Sequence, residues 1–345
     1  MPRRALNDPM EGLVAAPRTI RRTPPVNLTP VDTPLFQNAF EFQTLGCKLT
    51  QIGSAWVSPH SVAYKGRRLI AETVVEADQV PYFRRRHLVK QMLLGKKVNL
   101  PAGRQYLLVT DAWSAGHFHW FMEVLPKVAL LRKRTTELTL LLPDDAYVRN
   151  VGLATLEKLG IEFSDIVWMR DGEFLQVPNL LYVSRPTAPG QVDDDIMKEL
   201  NRRFLSGKRL GKRRLYISRS EARVRRVLNE TELEETLKEY GFETVRPEML
   251  SLSEQMDLFA DCDVLLGIHG AGLTNCIFMP PGGKVVELRK REPNYGYWHL
   301  ADSLDHKYYY YHGIPDSEAS LIGHGCNLTI DIPDFRRQIL ENTKI

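Results

Sequence analysis

The run Val264-Leu265-Leu266-Gly267-Ile268-His269-Gly270-Ala271-Gly272-Leu273-Thr274-Asn275 decides how this chain folds. Its first half is a short, fully apolar strand, and its second half opens a helix at a cluster of glycines. Glycines at such a junction let a ligand approach the backbone, and a helix N-terminus offers free N–H groups and partial positive charge, so a phosphate-bearing ligand is the natural guest. The glycine order is GxxGxG, not the GxGxxG of dinucleotide sites, which argues against NAD.

Outward from this run, strands alternate with helices. Leu215–Ser218 reads as a strand. Asn229 with Glu232 reads as a capping box for a helix ending at Tyr240, before Gly241. Phe242–Val245 is the next strand, Ser251 with Glu254 a second capping box, and Lys284–Leu288 a further strand. This alternation predicts βαβ units and a parallel, doubly wound Rossmann-like sheet. Earlier in the chain, strands are expected over Arg68–Val75, Tyr106–Thr110, Leu138–Leu142 and Leu180–Val183.

The 345 residues suggest two domains. The expected layout is a Pro- and Arg-rich extended or disordered arm over 1–34, an N-terminal α/β acceptor-side domain over 35–205 and a C-terminal donor domain over 206–327. A terminal strand and helix over 328–345 are expected to pack back on the N-terminal domain. The aromatic text from Tyr295 to Tyr311 reads as core, interface or a stacking surface.

Composition narrows the function. There are 46 Lys+Arg against 42 Asp+Glu, with 43% hydrophobic and 26% charged residues. A net charge of +4 at this size points away from nucleic acid as a partner. Four scattered cysteines (Cys47, Cys262, Cys276, Cys326) match neither a zinc knuckle nor a disulfide framework. No 18-residue apolar run exists. The short apolar run Leu13–Ala16 is no signal-peptide core, so a cytoplasmic location is expected, with peripheral membrane association through Arg84–Arg86 or the arm as an option that no amphipathic helix compels. The sequons at Asn27, Asn229 and Asn327 are taken as chance.

Two further motifs carry chemistry. The block from Arg202 to Arg226 holds eleven Lys or Arg and a single acid, Glu221. Arg219 follows a strand directly and belongs at the carboxyl edge of the sheet, with Arg225 and Arg226 just beyond. Guanidinium forks pair bidentately with phosphate. In Trp113–Lys127, a helix from about Phe118 would set His119 and Glu123 side by side at i and i+4. A His–carboxylate pair can serve as a general base, while the structural alternative is a Glu123–Lys127 ion pair with capping histidines. The His117-x-His119 spacing lacks a third metal ligand, so neither metal nor cofactor is expected. Glu287 ends a strand at the ligand edge, where it could receive a sugar hydroxyl or pair with Arg289 or Lys290.

On these residues the chain resembles glycosyltransferase family 61. The matching text is Gly116-His117-Phe118-His119-Trp120 with Glu123 and Leu125-Pro126-Lys127, then Tyr216–Arg219 with Arg225, Arg226, Asn229 and Glu230, the Glu254-Gln255 pair, His269–Asn275, and Phe278 with Pro281-Gly282, Val286 and Glu287. The resemblance implies a GT-B-type architecture of two Rossmann-like domains with the nucleotide-sugar donor on the C-terminal half. It implies inversion without an obligatory metal, and for bacterial-type members a capsule or lipopolysaccharide role with a glycan or glycolipid acceptor. In that frame Glu123 is the expected base, with His119 orienting it or exchanging roles with it, and His117 beside them. Arg219, Arg225, Arg226, His269, Gly270, Ala271, Gly272, Thr274, Asn275 and Glu287 are expected to hold a UDP-sugar. A pyruvyl transferase-like enzyme and a non-catalytic nucleotide-sugar or glycan binder are the alternatives.

Overall fold

The computed structural model describes residues 12–75, 77–205, 207, 211–317 and 325–343. The chain divides into two compact α/β units, one of residues up to 18 with 44–188, the other of 19–43 with 189 onward.

The first unit is built on a nine-stranded mixed sheet. Its strands are β1 Gly12–Ala15, β2 Cys47–Val57, β3 Ala63–Lys65, β4 Arg68–Leu69, β5 Lys96–Asn99, β6 Tyr106–Leu108, β7 Thr139–Pro143, β8 Asp165–Met169 and β9 Glu173–Val183. The order is β8-β7-β6-β9-β2-β3-β4, with β1 on β2 and β5 on β9. The four neighbours β8, β7, β6 and β9 run parallel, whereas β2 is antiparallel to β9 and to β3. β5 also runs parallel to β9, so the parallel arrangement expected of this half is limited to β5–β9. The reason lies in β2, whose side chains alternate largely between buried and exposed, the pattern of an antiparallel strand with one solvated face. The strand expected over Arg68–Val75 stops at Leu69 and gives way to a 3₁₀ turn over Ala71–Thr73.

The second unit carries a five-stranded sheet of β10 Arg213–Ile217, β11 Phe242–Val245, β12 Cys262–Ile268, β13 Lys284–Arg289 and β14 Lys307–His312. Its order is β11-β10-β12-β13-β14, and every neighbouring pair is parallel. Cys262–Ile268 is almost wholly buried, as expected of a central parallel strand covered on both faces. Helices Glu230–Glu239 and Leu252–Ala260 connect the first three strands, a 3₁₀ helix over Ala271–Phe278 follows β12, and Gly296–Ser303 precedes β14. The Ser251–Glu254 capping box forms in full. Asn229 stands at its helix N-cap, but its amide instead exchanges two hydrogen bonds with the backbone of Ile330 (2.8 and 2.9 Å).

Three boundaries differ from the sequence reading. Residues 189–205, including the helix Asp194–Leu205, belong to the second unit, because Asn201 donates to the carbonyls of Ile277 and Met279 (2.7 and 2.9 Å) and Phe204 packs edge-on against Phe278. Of the presumed arm, residues 1–11 lie outside the described residues, and 19–34 pack on the second unit. There Asn27 hydrogen bonds both ways with the backbone of Tyr310, Val26 N donates to Tyr308 O, and the buried Arg22 meets Asp194 and the carbonyl of Val192. The C-terminal segment does not join the N-terminal unit. Leu328, Ile330, Ile332, Phe335, Ile339 and Leu340 share one core with Tyr216, Leu266, Val286, Tyr309 and Tyr311. The tyrosine run is thus strand β14, with all four rings buried.

Phe335 is fully buried and packs edge-on against Tyr311. Phe335→Ala is expected to cost about 3–5 kcal/mol by denaturant unfolding. A loss below about 1 kcal/mol would show that the terminal helix is not part of this core.

Candidate active site

The strand order of the second unit, numbered within its own sheet, is 2-1-3-4-5, so the connections leave its first and third strands in opposite directions. Between the carboxyl ends of these two strands lies the crevice where open α/β sheets bind ligands. Those strands are β10 and β12, paired with Ile217 opposite Gly267. Two residues further on, Arg219 and His269 stand at the same level.

The glycines here serve contact. A Cβ on Gly270 would lie 3.3 Å from a terminal nitrogen of Arg219, and one on Gly272 would meet Ile217 side-chain carbons at 3.0 and 3.2 Å. Gly270 therefore lets the guanidinium lie against the turn. Arg219 is anchored through Nε to the carbonyl of Arg225 (3.1 Å) and through a terminal nitrogen to that of Val224 (3.4 Å). Its own N–H and the hydroxyl of Tyr216 both donate to Glu230 (3.3 and 2.7 Å). Partial burial, and then Arg225 beside it, disfavour the charge on Arg219, which is what a cationic pair awaiting an anion would show. Arg225 holds φ of +60°, a left-handed conformation that a non-glycine residue adopts at a cost. Arg225, His269, Arg289, Lys290, Glu292 and Asn294 line a small cleft at this edge.

Behind the turn, Glu287 is 2% exposed. It accepts from the hydroxyl of Tyr308 and meets His269 Nδ1. Burial opposes ionisation, but His269, Arg289 and Tyr308 hold the carboxyl below its ordinary range. His269 Nε2 lies 3.4 Å from the Asn294 amide, and its ring meets that of Tyr297 edge-on. The expected partners Arg289 and Lys290 do not bond Glu287 directly: Arg289 donates to the carbonyl of Asn294 (2.7 Å), and Lys290 pairs with Glu292 (2.7 Å). Glu287 thus fixes the His269 ring and is itself too enclosed to take a sugar hydroxyl. Ala271 is half-buried, and Thr274 and Asn275 are buried in the 3₁₀ helix, so they shape the turn. Arg226 is exposed, and its backbone is tied to Asn327 and Leu328.

The first unit holds a second charged cluster. Residues 117–131 form one helix, α-helical over His117–His119 and Leu125–Leu131 with a π turn over Trp120–Val124. Its middle is buried on all sides. Trp120 donates to Thr155 (2.8 Å), and its ring would lie only 2.9 Å from a Cβ on Gly152. Glu123 Oε1 is 3.2 Å from His119 Nδ1, and Oε2 is 3.0 Å from Arg185. Neither contact has hydrogen-bond geometry, so both buried oxygens keep acceptor capacity. Arg185 also pairs with Asp111 (2.5 Å). Lys127 does not pair with Glu123; it is fully buried and donates to the carbonyl of Val109 (2.8 Å). Burial opposes the charges on Asp111 and Arg185, yet Lys127 and Arg185 hold the Asp111 carboxyl down, and Glu123 and Asp111 hold the Arg185 guanidinium up. His117 meets the hydroxyl of Tyr147 (3.0 Å). Among the described residues no group of three His, Cys, Asp or Glu is arranged to hold a metal ion.

The sequence reading missed Arg185 and Asp111, although the argument that found Arg219 applies to them. Tyr182 of β9 lies opposite Leu108 of the parallel β6, so three residues on, Arg185 and Asp111 reach the same level beyond the carboxyl ends of their strands. Tyr308 was missed because its run, read as core, interface or a stacking surface, gave no sign of a carboxylate partner.

Residues 117–286, close to half of the chain, match the family model for glycosyltransferase 61. This segment is similar to glycosyltransferase family 61. The chain is similar to an alpha-1,3-arabinosyltransferase of Oryza sativa subsp. japonica, 39% identical over 70 residues, covering 19% of this chain and 12% of that protein. It is similar to the EGF domain-specific O-linked N-acetylglucosamine transferases of Drosophila melanogaster (39% over 83 residues; 23% of this chain, 16% of that one) and Rattus norvegicus (27% over 150 residues; 39% and 28%). The chain thus spans less than a third of each of these proteins. They come from a plant and from animals, not from bacterial capsule assembly.

Because the native Glu287 carboxyl ionises below its ordinary value, its contribution to stability is present above that value and lost as pH falls through the native one. Glu287→Gln is expected to cost about 3 kcal/mol at neutral pH, and the gap from wild type should narrow on acidification below about pH 4. A gap that stays constant in acid unfolding titrations would mean the pair is not ionic in the native state.

Proposed function

We propose that this protein is a glycosyltransferase that moves a sugar from a nucleoside diphosphate sugar to an acceptor hydroxyl. The observation that carries the reading is the placement of Arg219 and His269 at one level on the switch edge of the parallel sheet, with Gly270 allowing close approach. The match of residues 117–286 to the glycosyltransferase 61 family supports it. In this reading Arg219, Arg225 and the N–H groups of the Gly270–Gly272 turn neutralise the departing diphosphate, so the leaving group needs no metal.

An inverting transfer needs one base, which takes the acceptor proton as the hydroxyl attacks the anomeric carbon and the bond to the diphosphate breaks. We assign that role to His119, with Glu123 as its positioning residue, the exchange of roles that the sequence left open. Glu123 is 8% exposed and enclosed by Arg185 and His119, so an acceptor hydroxyl reaches it poorly. His119 is about a third exposed, with Nδ1 turned to Glu123, an arrangement that leaves Nε2 for the acceptor. A UDP donor, a surface-polysaccharide acceptor and cytoplasmic residence complete the reading and rest on the sequence resemblance. The activities of these relatives favour arabinosyl and N-acetylglucosaminyl nucleotides as the first donors to try.

Purified protein is expected to bind one class of UDP-, GDP- or dTDP-sugar, and not CMP-sugars, in the presence of chelator, and Arg219→Ala to lose that binding by about tenfold or more. Binding unchanged in Arg219→Ala would discard the clamp, and binding abolished by chelator would discard metal independence. With a competent acceptor, His119→Ala should lower kcat by about 10²–10⁴-fold, with donor affinity retained. Glu123→Gln should lower it less, again with donor affinity retained. A larger loss in Glu123→Gln than in His119→Ala would return the base role to Glu123.

A further inference from the structure

The first unit carries a basic, apolar helix that lies outside the matched segment 117–286 and that the proposed reaction does not use. Residues 80–94 are α-helical over Val80–Tyr82 and Leu88–Leu94, with a π turn over Phe83–His87. Phe83 and Leu88 are buried in a core with Tyr64 and Phe174, which fixes the helix to the unit. Its other face is turned out and apolar. Leu93 is 76% exposed and Leu94 78%, with Val89 and Tyr82 about half exposed beside them.

Cations frame that face. Residues 80–97 contain Arg84, Arg85, Arg86, Lys90, Lys96 and Lys97 and no Asp or Glu. Arg85, Arg86, Val89, Lys90, Leu93 and Leu94 line one shallow, largely apolar depression. Lys97 folds back to the carbonyl of Met92 (2.6 Å) and closes the helix end, and Glu173 reaches Lys96 at 3.5 Å. No helix among the described residues is long and apolar enough to cross a membrane.

We propose that this helix docks the protein on an anionic lipid surface, with Val89, Leu93 and Leu94 entering the headgroup–acyl boundary and Arg84, Arg85, Arg86 and Lys90 lying among lipid phosphates. Two exposed leucines at the end of a cation-rich helix match a bilayer interface on both counts, since aliphatic side chains partition into it and each nearby cation adds attraction to an anionic leaflet. An acidic protein partner would satisfy the charge but would need its own pocket for the leucines. A lipid surface needs none. The π turn brings three successive arginines to the exposed rim, a turn type found often at functional sites. The sequence reading had named Arg84–Arg86 without an amphipathic helix; the structure supplies that helix by burying Phe83, His87, Leu88 and Gln91 on the opposite side.

The test is co-sedimentation of the full chain with phosphatidylcholine vesicles made with and without phosphatidylglycerol. Binding is expected to the anionic vesicles, weakening as salt is raised. Replacing Arg84, Arg85 and Arg86 with Gln should weaken it by roughly a hundredfold, and Leu93→Ser with Leu94→Ser by about tenfold or more. These positions are exposed, so circular dichroism and thermal melting should stay at wild-type values. Absence of binding to either vesicle, or equal binding by wild type and both variants, would overturn the proposal. So would a shift in sedimentation of the free protein on changing the leucines, which would identify the face as an interface between protein chains. None of these outcomes depends on a nucleotide sugar, so the lipid surface and the proposed reaction stand or fall separately.

Discussion

Register between parallel strands is the constraint on which both charged clusters depend. Ile217 lies opposite Gly267, and Tyr182 lies opposite Leu108. A parallel pair keeps its partners level beyond the last hydrogen bond, so residues equally far past the strand ends emerge together. Arg219 and His269 do so in the second unit, and Arg185 and Asp111 in the first. A slip of one residue would turn each side chain to the other face of its sheet. The buried apolar side chains of β12 make that slip costly, since Val264, Leu266 and Ile268 are locked into the core below.

The buried charges are tolerated because each has a specific neutralising neighbour. Glu287 is held by His269 and Tyr308, Glu123 by His119 and Arg185, and Asp111 by Arg185 with Lys127 close behind. Removing one partner would strand a charge out of water, which costs far more than the pair contributes. The clusters are rigid for that reason. They differ in what remains unspent. Glu287 is saturated and acts through His269, whereas the Glu123 oxygens have charge contacts without hydrogen-bond geometry, and His119 reaches solvent.

Glycine marks the places where this rigidity needs backbone close to a side chain. Gly270 admits the Arg219 guanidinium, Gly272 admits Ile217, and Gly152 admits the Trp120 indole. In none of these three is a left-handed backbone the reason. A Cβ would displace a group that the site or core requires.

The sequence by itself determined the parallel sheet of the second unit, the Ser251 cap, the edge position of Arg219 and the His119–Glu123 neighbourhood. These follow from local periodicity, from capping chemistry and from i, i+4 spacing, which need no knowledge of distant chain. Only the tertiary structure decided the rest. It made Tyr308 the partner of Glu287, made Arg185 rather than Lys127 the partner of Glu123, laid residues 19–34 and 328–341 on the second unit, and turned the sheet of the first unit antiparallel beyond β9. Each of these joins segments tens to hundreds of residues apart. Such contacts are selected by which buried surfaces and unpaired polar groups find one another in space, and the sequence of either segment alone carries no record of its partner.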